Sequence, residues 1–183
     1  MQRLTNILPK HFGIESLFFL RMSGDIPKDD FEMTKEIHLS QVHTPYANEL
    51  HEHYCRRWVS INIMKEANEL ERKKKFRQPI IRAQISEYWQ THNRYFCISV
   101  TKPRVRENEP FVSVTVGILM DHRLSQRFQF LSDPGIIVRT VNTTCERCSI
   151  PDCKERAVPP LALMKEESVK KTDRALMTLD EMK

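Results

Sequence analysis

Three cysteines, Cys145, Cys148 and Cys153, lie within nine residues of one another toward the C-terminal end of the chain. The two-residue gap between Cys145 and Cys148 lets a tight turn direct both thiolates at one metal, and Cys153 can close the same site from the far side of the loop. Three thiolates need a fourth ligand to complete a tetrahedral zinc site or a four-iron, four-sulfur cluster. The candidates for that ligand are Cys55, Cys97, His51 and His53.

The composition restricts the class of protein and the cellular compartment in which such a metal site would occur. The 183 residues are 40% hydrophobic and 29% charged with a formal net charge of +5, which is typical of a globular protein with an anionic partner. No apolar run approaches the about 20 residues of a membrane helix. The first residues lack the apolar stretch of a secretion signal, so we expect a cytoplasmic protein whose five cysteines stay reduced.

The pattern along the chain predicts an α+β fold, in which an antiparallel sheet packs with helices and a cysteine-rich loop follows. A hairpin is expected from residues 16–22 and 31–39, and a long helix from Asn48 to Lys75 would carry Cys55. Further strands are predicted at residues 80–88, 95–102 and 111–120, a short helix after Asp121, and a last extended segment at 136–141. Cys97 is predicted to be a small buried core residue. We divide the chain into a domain at residues 1–160 and a C-terminal tail at 161–183.

The sequence CERCSIPDCKERAVPP resembles the C-terminal signature of the short-chain fatty acyl transcriptional regulators, a C-x2-C-x4-C-x2-R-A-x-P-P element. Other segments resemble parts of the same family in the same order: QRLTNILP and SLFFLRM near the start, Cys55-Arg56-Arg57-Trp58 as a C-x-x-W element, Tyr95-Phe96-Cys97, and VGILMDHRLSQRFQFLSDPG. The resemblance extends from Gln2 to about Pro160.

This resemblance implies the ligand-sensing domain of a bacterial transcription regulator that responds to a short-chain acyl-CoA. It implies a four-iron, four-sulfur cluster held by Cys55, Cys145, Cys148 and Cys153. Zinc remains the alternative, because it also accepts four thiolates. It also implies that DNA is bound by an N-terminal helix-turn-helix domain, which this chain does not contain. We expect the protein to form a homodimer and not to be a membrane protein.

Four residues are candidates for contacts with such a ligand. Phosphate groups favour Arg and Lys, and an adenine ring favours an aromatic or guanidinium face. On this basis we name Arg21, Tyr95, Lys102 and Arg123 as ligand-binding residues.

Other functions fit the sequence less well. Cys55 near His51 and His53 could be a catalytic thiol with a base, but no Gly-rich phosphate loop, HExxH or GxSxG motif is present, so we expect no enzyme. Direct nucleic-acid binding is disfavoured because aromatic residues do not interleave with a basic stripe. The main alternative is a structural zinc-binding dimerisation module without a small-molecule ligand.

Overall fold

The computed structural model describes residues 7–11, 13–14, 16–39 and 52–181. Its centre is a six-stranded sheet in the order β2-β1-β5-β4-β3-β6. The strands are β1 (Leu17–Asp25), β2 (Asp30–Leu39), β3 (Ile80–Tyr88), β4 (Arg94–Thr101), β5 (Phe111–Leu119) and β6 (Ile137–Val141). The helices are α1 (Val59–Arg72), α2 (His122–Arg127) and α3 (Leu161–Glu181), and residues 7–11 are also helical.

The α+β class predicted from the sequence is confirmed. The hairpin of β1 and β2 is antiparallel, as are the pairs β1–β5, β4–β5 and β3–β4. One difference is the last strand, β6, which runs parallel to β3 at the edge of the sheet. The cysteine-rich loop follows directly after this parallel edge strand.

The two faces of the sheet bury different sets of side chains, because successive residues of a strand point to opposite faces. Helix α1 covers one face, where its residues Ile61, Met64 and Ala67 are fully buried in a cluster with Met22 and Tyr95. The opposite face carries a second cluster, formed by Ile14, Leu17, Phe19, Ile85, Phe96, Val116, Ile118, Leu124 and Leu131.

The prediction of a helix from Asn48 to Lys75 is wrong at its start. Residues 40–51 lie outside the described residues, and α1 begins only at Val59, after Trp58 in an extended conformation. Residues 52–55 instead pair with the backbone near Thr144. Tyr54 and Trp58, whose spacing indicated a helix, still pack ring against ring at a centroid distance of 5.4 Å although Tyr54 is not helical. Cys55 is therefore not a helical residue.

The C-terminal segment predicted as a tail forms the 21-residue helix α3. Several of its apolar side chains are exposed, among them Leu161, Met164, Val169 and Met177. No helix in the described part of the chain has the length and apolar character needed to cross a membrane.

Candidate metal centre

Backbone pairing over a long sequence separation brings Cys55 to the C-terminal cysteines. The Cys55 N–H donates to the carbonyl of Thr143 (3.0 Å), and the Cys145 N–H donates to the carbonyl of His53 (2.8 Å). Between these two bonds Tyr54 forms an antiparallel bridge with Thr144. Trp58 adds a bond from its indole Nε1 to the carbonyl of Asn142 (2.8 Å). The segment before α1 is thus tied to the strand that enters the cysteine-rich loop.

Arg156 holds the cysteine-rich loop in shape. Its guanidinium donates to the carbonyl oxygens of Cys145 (3.2 Å), Cys148 (3.0 Å) and Ile150 (2.5 Å). Two tight turns complete the loop: the Cys148 N–H bonds to the carbonyl of Cys145, and the Arg156 N–H bonds to that of Cys153, each at 3.2 Å. One cation therefore bonds to three carbonyls of a loop that has no regular structure.

The four predicted ligands, Cys55, Cys145, Cys148 and Cys153, line one small cavity, which we call the thiol cavity. Its volume of about 10 Å³ is comparable to a single water-sized sphere. Cys55, Cys145 and Cys148 are buried, Cys153 is half-buried, and all are free thiols. Within residues 7–11, 13–14, 16–39 and 52–181, no three His, Cys, Asp or Glu side chains are already arranged to hold a metal ion.

Backbone donors point at two of these sulfurs. The Asn142 N–H lies 3.5 Å from Sγ of Cys55, and the Ala157 N–H lies 3.5 Å from Sγ of Cys145. Burial is the main cause that raises the pKa of the Cys55 thiol to about 11; the nearby Cys145 and Cys148 contribute in the same direction, and backbone hydrogen bonds from Asn142 and Arg57 oppose them. Cys55 is thus a protonated thiol unless a bound cation stabilises its thiolate.

Charged groups around the thiol cavity are mostly positive. Arg56, Arg57 and Arg156 line it together with a single carboxylate, Glu155. Arg56 also pairs with Asp29, and Glu155 lies 2.9 Å from Arg139. Thiolates around zinc or an iron–sulfur cluster carry a net negative charge, which this surrounding positive charge suits.

Two side-chain pairs, which we call the clamp, hold the residues between Cys145 and Cys148. The Glu146 carboxylate accepts from Nδ1 of His53 (2.7 Å) and from the His53 N–H (2.9 Å). Arg147 pairs with Glu52 at 2.8 Å, and Thr144 donates to the same Glu52 carboxylate at 2.6 Å. The clamp is not among the expectations from the sequence, because its partners lie more than ninety residues apart.

Among the candidates for the fourth ligand, only Cys55 of the described residues lines the thiol cavity. His53 is engaged with Glu146, and His51 lies outside the described residues. Cys97 is on β4, where its thiol donates to the carbonyl of Tyr95 (3.7 Å) beneath α1. His53 and Cys55 lie on an extended segment and not on the helix that the sequence predicts from Asn48 to Lys75.

The four predicted ligand contacts do not line a common cavity. Arg21 donates from Nη1 to the hydroxyl of Thr34 (2.6 Å), and Tyr95 is 1% exposed and packs between Phe18 and Tyr88. Lys102 lines a groove at one end of β4. Arg123 lines a separate cavity beside α2. The sequence could not reveal this separation because it depends on the order of the strands.

We predict that Cys97 does not react with iodoacetamide in the native protein at pH 8. Burial raises the pKa of its thiol to about 12, opposed by a weaker hydrogen bond from Ser86, so only about one molecule in 10⁴ carries the thiolate. Peptide mass spectrometry after alkylation of the folded protein measures the modified fraction of Cys97. Protein unfolded in guanidinium is the control, and its Cys97 must react. Rapid native modification of Cys97 would contradict the burial that the structure gives it.

Comparisons with known proteins give little guidance. No protein-family model matches the chain, and no curated protein matches it. A solved structure described as a Mycobacterium tuberculosis transcriptional regulator is similar with a TM-score of 0.48 and 17% sequence identity. The similarity covers 79% of this chain and 39% of that one, so the chain spans about two fifths of the regulator's length. At this level the likeness does not identify a function.

Proposed function

We propose that this chain is the ligand-sensing domain of a bacterial transcription regulator, that its four clustered cysteines hold an inorganic centre, and that it responds to a short-chain acyl-CoA. The observation that carries the proposal is the thiol cavity, where Cys55 meets three cysteines about ninety residues further along the chain. The resemblance of the cysteine-rich segment to the short-chain fatty acyl regulators supports the sensing role. DNA would be bound by another domain, in a homodimer.

The donor set of the thiol cavity fits either a four-iron, four-sulfur cluster or zinc, because both accept four thiolates. Cys55, Cys145, Cys148 and Cys153 would be the ligands, with Arg156 holding their loop and the N–H groups of Asn142 and Ala157 bonding to sulfur. A cluster would supply sensitivity to oxidants, whereas zinc would supply only a structural cross-link. The resemblance favours the cluster.

The size of the thiol cavity favours zinc, which is the metal of the alternative function, a structural dimerisation module without a small-molecule ligand. About 10 Å³ accommodates one ion, whereas a four-iron cluster requires the loop to move away from Cys55. Arg156 bonds to three loop carbonyls and therefore resists such a movement. The two functions differ in the metal they need and in whether a small molecule is bound.

Anaerobic purification tests the metal, and calorimetry tests the ligand. Brown protein containing iron and sulfide supports the cluster, colourless protein with one tightly bound zinc supports the alternative, and protein with neither contradicts both. Titration of the full chain with acetyl-, propionyl- and butyryl-CoA is expected to give heat with at least one of them. The absence of heat with all three contradicts a sensing role.

A further inference from the structure

The face of the sheet opposite α1 is apolar in the part that α2 leaves open, and we call this part the open face. One row of paired residues crosses five strands of it: Ile81 on β3, Val100 on β4, Val114 on β5, Arg21 on β1 and Lys35 on β2. The open face consists of this row together with Ala83, Lys102, Val112 and Val138. Ile81 is 62% exposed, and the valines on β4 and β5 are half-buried.

The central strands β4 and β5 carry polar side chains on their covered face and apolar ones on the open face. Beneath α1 they bury the hydroxyl groups of Ser99, Ser113 and Thr115, each of which is at most 2% exposed. An antiparallel sheet with one face in water normally has the reverse arrangement, with polar side chains on the solvent side. Contiguous apolar surface of this kind is typical of an interaction site, so the valines indicate that another element covers the open face.

Helix α3 is a second place where large apolar side chains are exposed together. Every side chain from residue 164 to residue 174 is exposed, so α3 does not lie on the sheet of its own chain. Leu161, Val169 and Met177 are 58%, 52% and 68% exposed. At about 100° per residue these three side chains lie within one half of the helix surface, which we call the Val169 half. An isolated helix is only marginally stable in water, so α3 needs a partner for this half.

The charges of α3 are distributed unequally around the helix. Glu166 and Asp173 lie on the Val169 half, because they are three residues before and four residues after Val169, and Lys165 is the one cation there among residues 161–174. The other charged residues of this stretch lie on the opposite half: Glu167, Lys170, Lys171 and Arg174. The Val169 half is therefore apolar with a net negative charge.

The open face carries the opposite charge beside its apolar centre. Arg21 and Lys35 continue the row of paired residues beyond Val114, and Lys102 follows the valines at the end of β4. Two carboxylates oppose these three cations, and both lie farther from the centre: Glu32 near the start of β2 and Glu109 in the loop before β5. The open face and the Val169 half of α3 are therefore complementary in charge, and both are apolar.

We infer that the open face binds helix α3 of a second copy of this chain, with the Val169 half of the helix on the valines and its carboxylates toward Arg21 and Lys35. An amphipathic helix on an apolar surface is a recurrent mode of recognition. Two such contacts, related by a two-fold axis, would form one dimer, in which each copy supplies one helix and one sheet face. The inference rests on the proposed function only for the expectation of a homodimer, to which it assigns a surface.

Sedimentation equilibrium of the full chain measures the dissociation constant of the dimer. We expect Ile81→Asp and Val169→Asp each to raise it by at least about tenfold, because each places a carboxylate in the apolar contact twice per dimer. Ile137→Asp is the matched control for the sheet, since Ile137 is 63% exposed but pairs with Gln84 on the other face. Met164→Asp is the matched control for the helix, since Met164 is 57% exposed on the half opposite Val169. Both controls should dimerise like the wild type.

An equimolar mixture of the Ile81→Asp and Val169→Asp proteins tests the pairing of helix with sheet. A mixed dimer has one intact contact, between the α3 of the Ile81→Asp copy and the open face of the Val169→Asp copy. The mixture should therefore dimerise more tightly than either variant alone. Both substitutions are at exposed positions, and circular dichroism of each variant shows whether its fold is retained.

Four results would overturn the inference. Loss of the dimer in Val169→Asp alone would indicate a contact between two helices, and its loss in Ile81→Asp alone a contact between two sheet faces. A dimer that neither substitution weakens would keep the homodimer and reject this surface. A monomeric wild type would reject both, and a lower thermal midpoint in Ile81→Asp and Val169→Asp but not in the controls would then place α3 on its own sheet. The sensing role is decided separately, by metal analysis and by calorimetry with acyl-CoA.

Discussion

Replacing Cys55 with serine is expected to remove most of the metal from anaerobically purified protein and to lower its thermal midpoint by more than about 10 °C. The metal would be lost because Cys55 is the one proposed ligand from outside the cysteine-rich loop, and three thiolates from a short loop would bind zinc or a cluster less tightly than four. The thermal midpoint would fall with the metal content, because a metal that binds only the native state adds its binding free energy to the stability of the fold.

The metal dependence of the loss separates a metal ligand from a buried thiol. A buried hydroxyl in place of the thiol costs about 1–3 kcal/mol, which by itself lowers the midpoint of a chain of this length by about 2–12 °C. The part of the loss that disappears when the wild type and Cys55→Ser are compared after removal of the metal comes from the centre. Metal analysis, calorimetric scanning and visible absorption give the three readouts.

Cys97→Ser is the matched control for Cys55→Ser. Cys97 is equally buried, but it lies on β4 beneath α1 and does not line the thiol cavity. It should retain the full metal content while losing some stability from its polar substitution. If Cys55→Ser keeps its metal, or Cys97→Ser loses it, the proposed ligand set is wrong.

Much of the sheet could be predicted from the sequence because the composition of each strand is a local signal. Residues 111–119 are rich in β-branched side chains, and residues 17–22 form a dense apolar run of strand length. A turn between β1 and β2 then determines which strands pair. The parallel pairing of β6 with β3 has no local signal, since it depends on how the intervening strands are arranged.

The cysteines of the candidate centre could be named from the sequence, but the backbone pairing that brings them together could not. The spacing of Cys145, Cys148 and Cys153 indicated a metal loop, but a helical position was assigned to Cys55 because Tyr54 and Trp58 recur at helical intervals. Two long-range backbone bonds, from Cys55 to Thr143 and from Cys145 to His53, override that local preference. The same bonds bring Glu52 to Arg147 and His53 to Glu146. The hydrophobic periodicity of the sequence contains no signal for these contacts.

Replacing Gly117 with alanine is expected to destabilise the protein by about 3 kcal/mol, near the upper end of costs for overpacking a core. Gly117 lies opposite Phe18 in the β1–β5 pair, and an alanine Cβ would stand 2.7 Å from Cε2 of the Phe18 ring and overlap its Cζ. The ring cannot swing away easily because it is buried against Tyr95 at a centroid distance of 5.4 Å.

A double-mutant cycle in urea measures whether this clash is the cause. Phe18→Leu alone should cost about 1–2 kcal/mol through lost packing, and in the double variant it should relieve the clash, so that the combined loss falls short of the sum by more than about 1 kcal/mol. Gly135→Ala is the control. Gly135 lies in an exposed loop, and its added Cβ would meet only the exposed Asp133 side chain, at 3.1 Å from the Oδ1 that accepts the Gly135 N–H, so the change should stay within about 0.5 kcal/mol. Strictly additive losses at positions 18 and 117 would show that the glycine is not required by the Phe18 ring, and the close approach of β1 and β5 at this point would then need another cause.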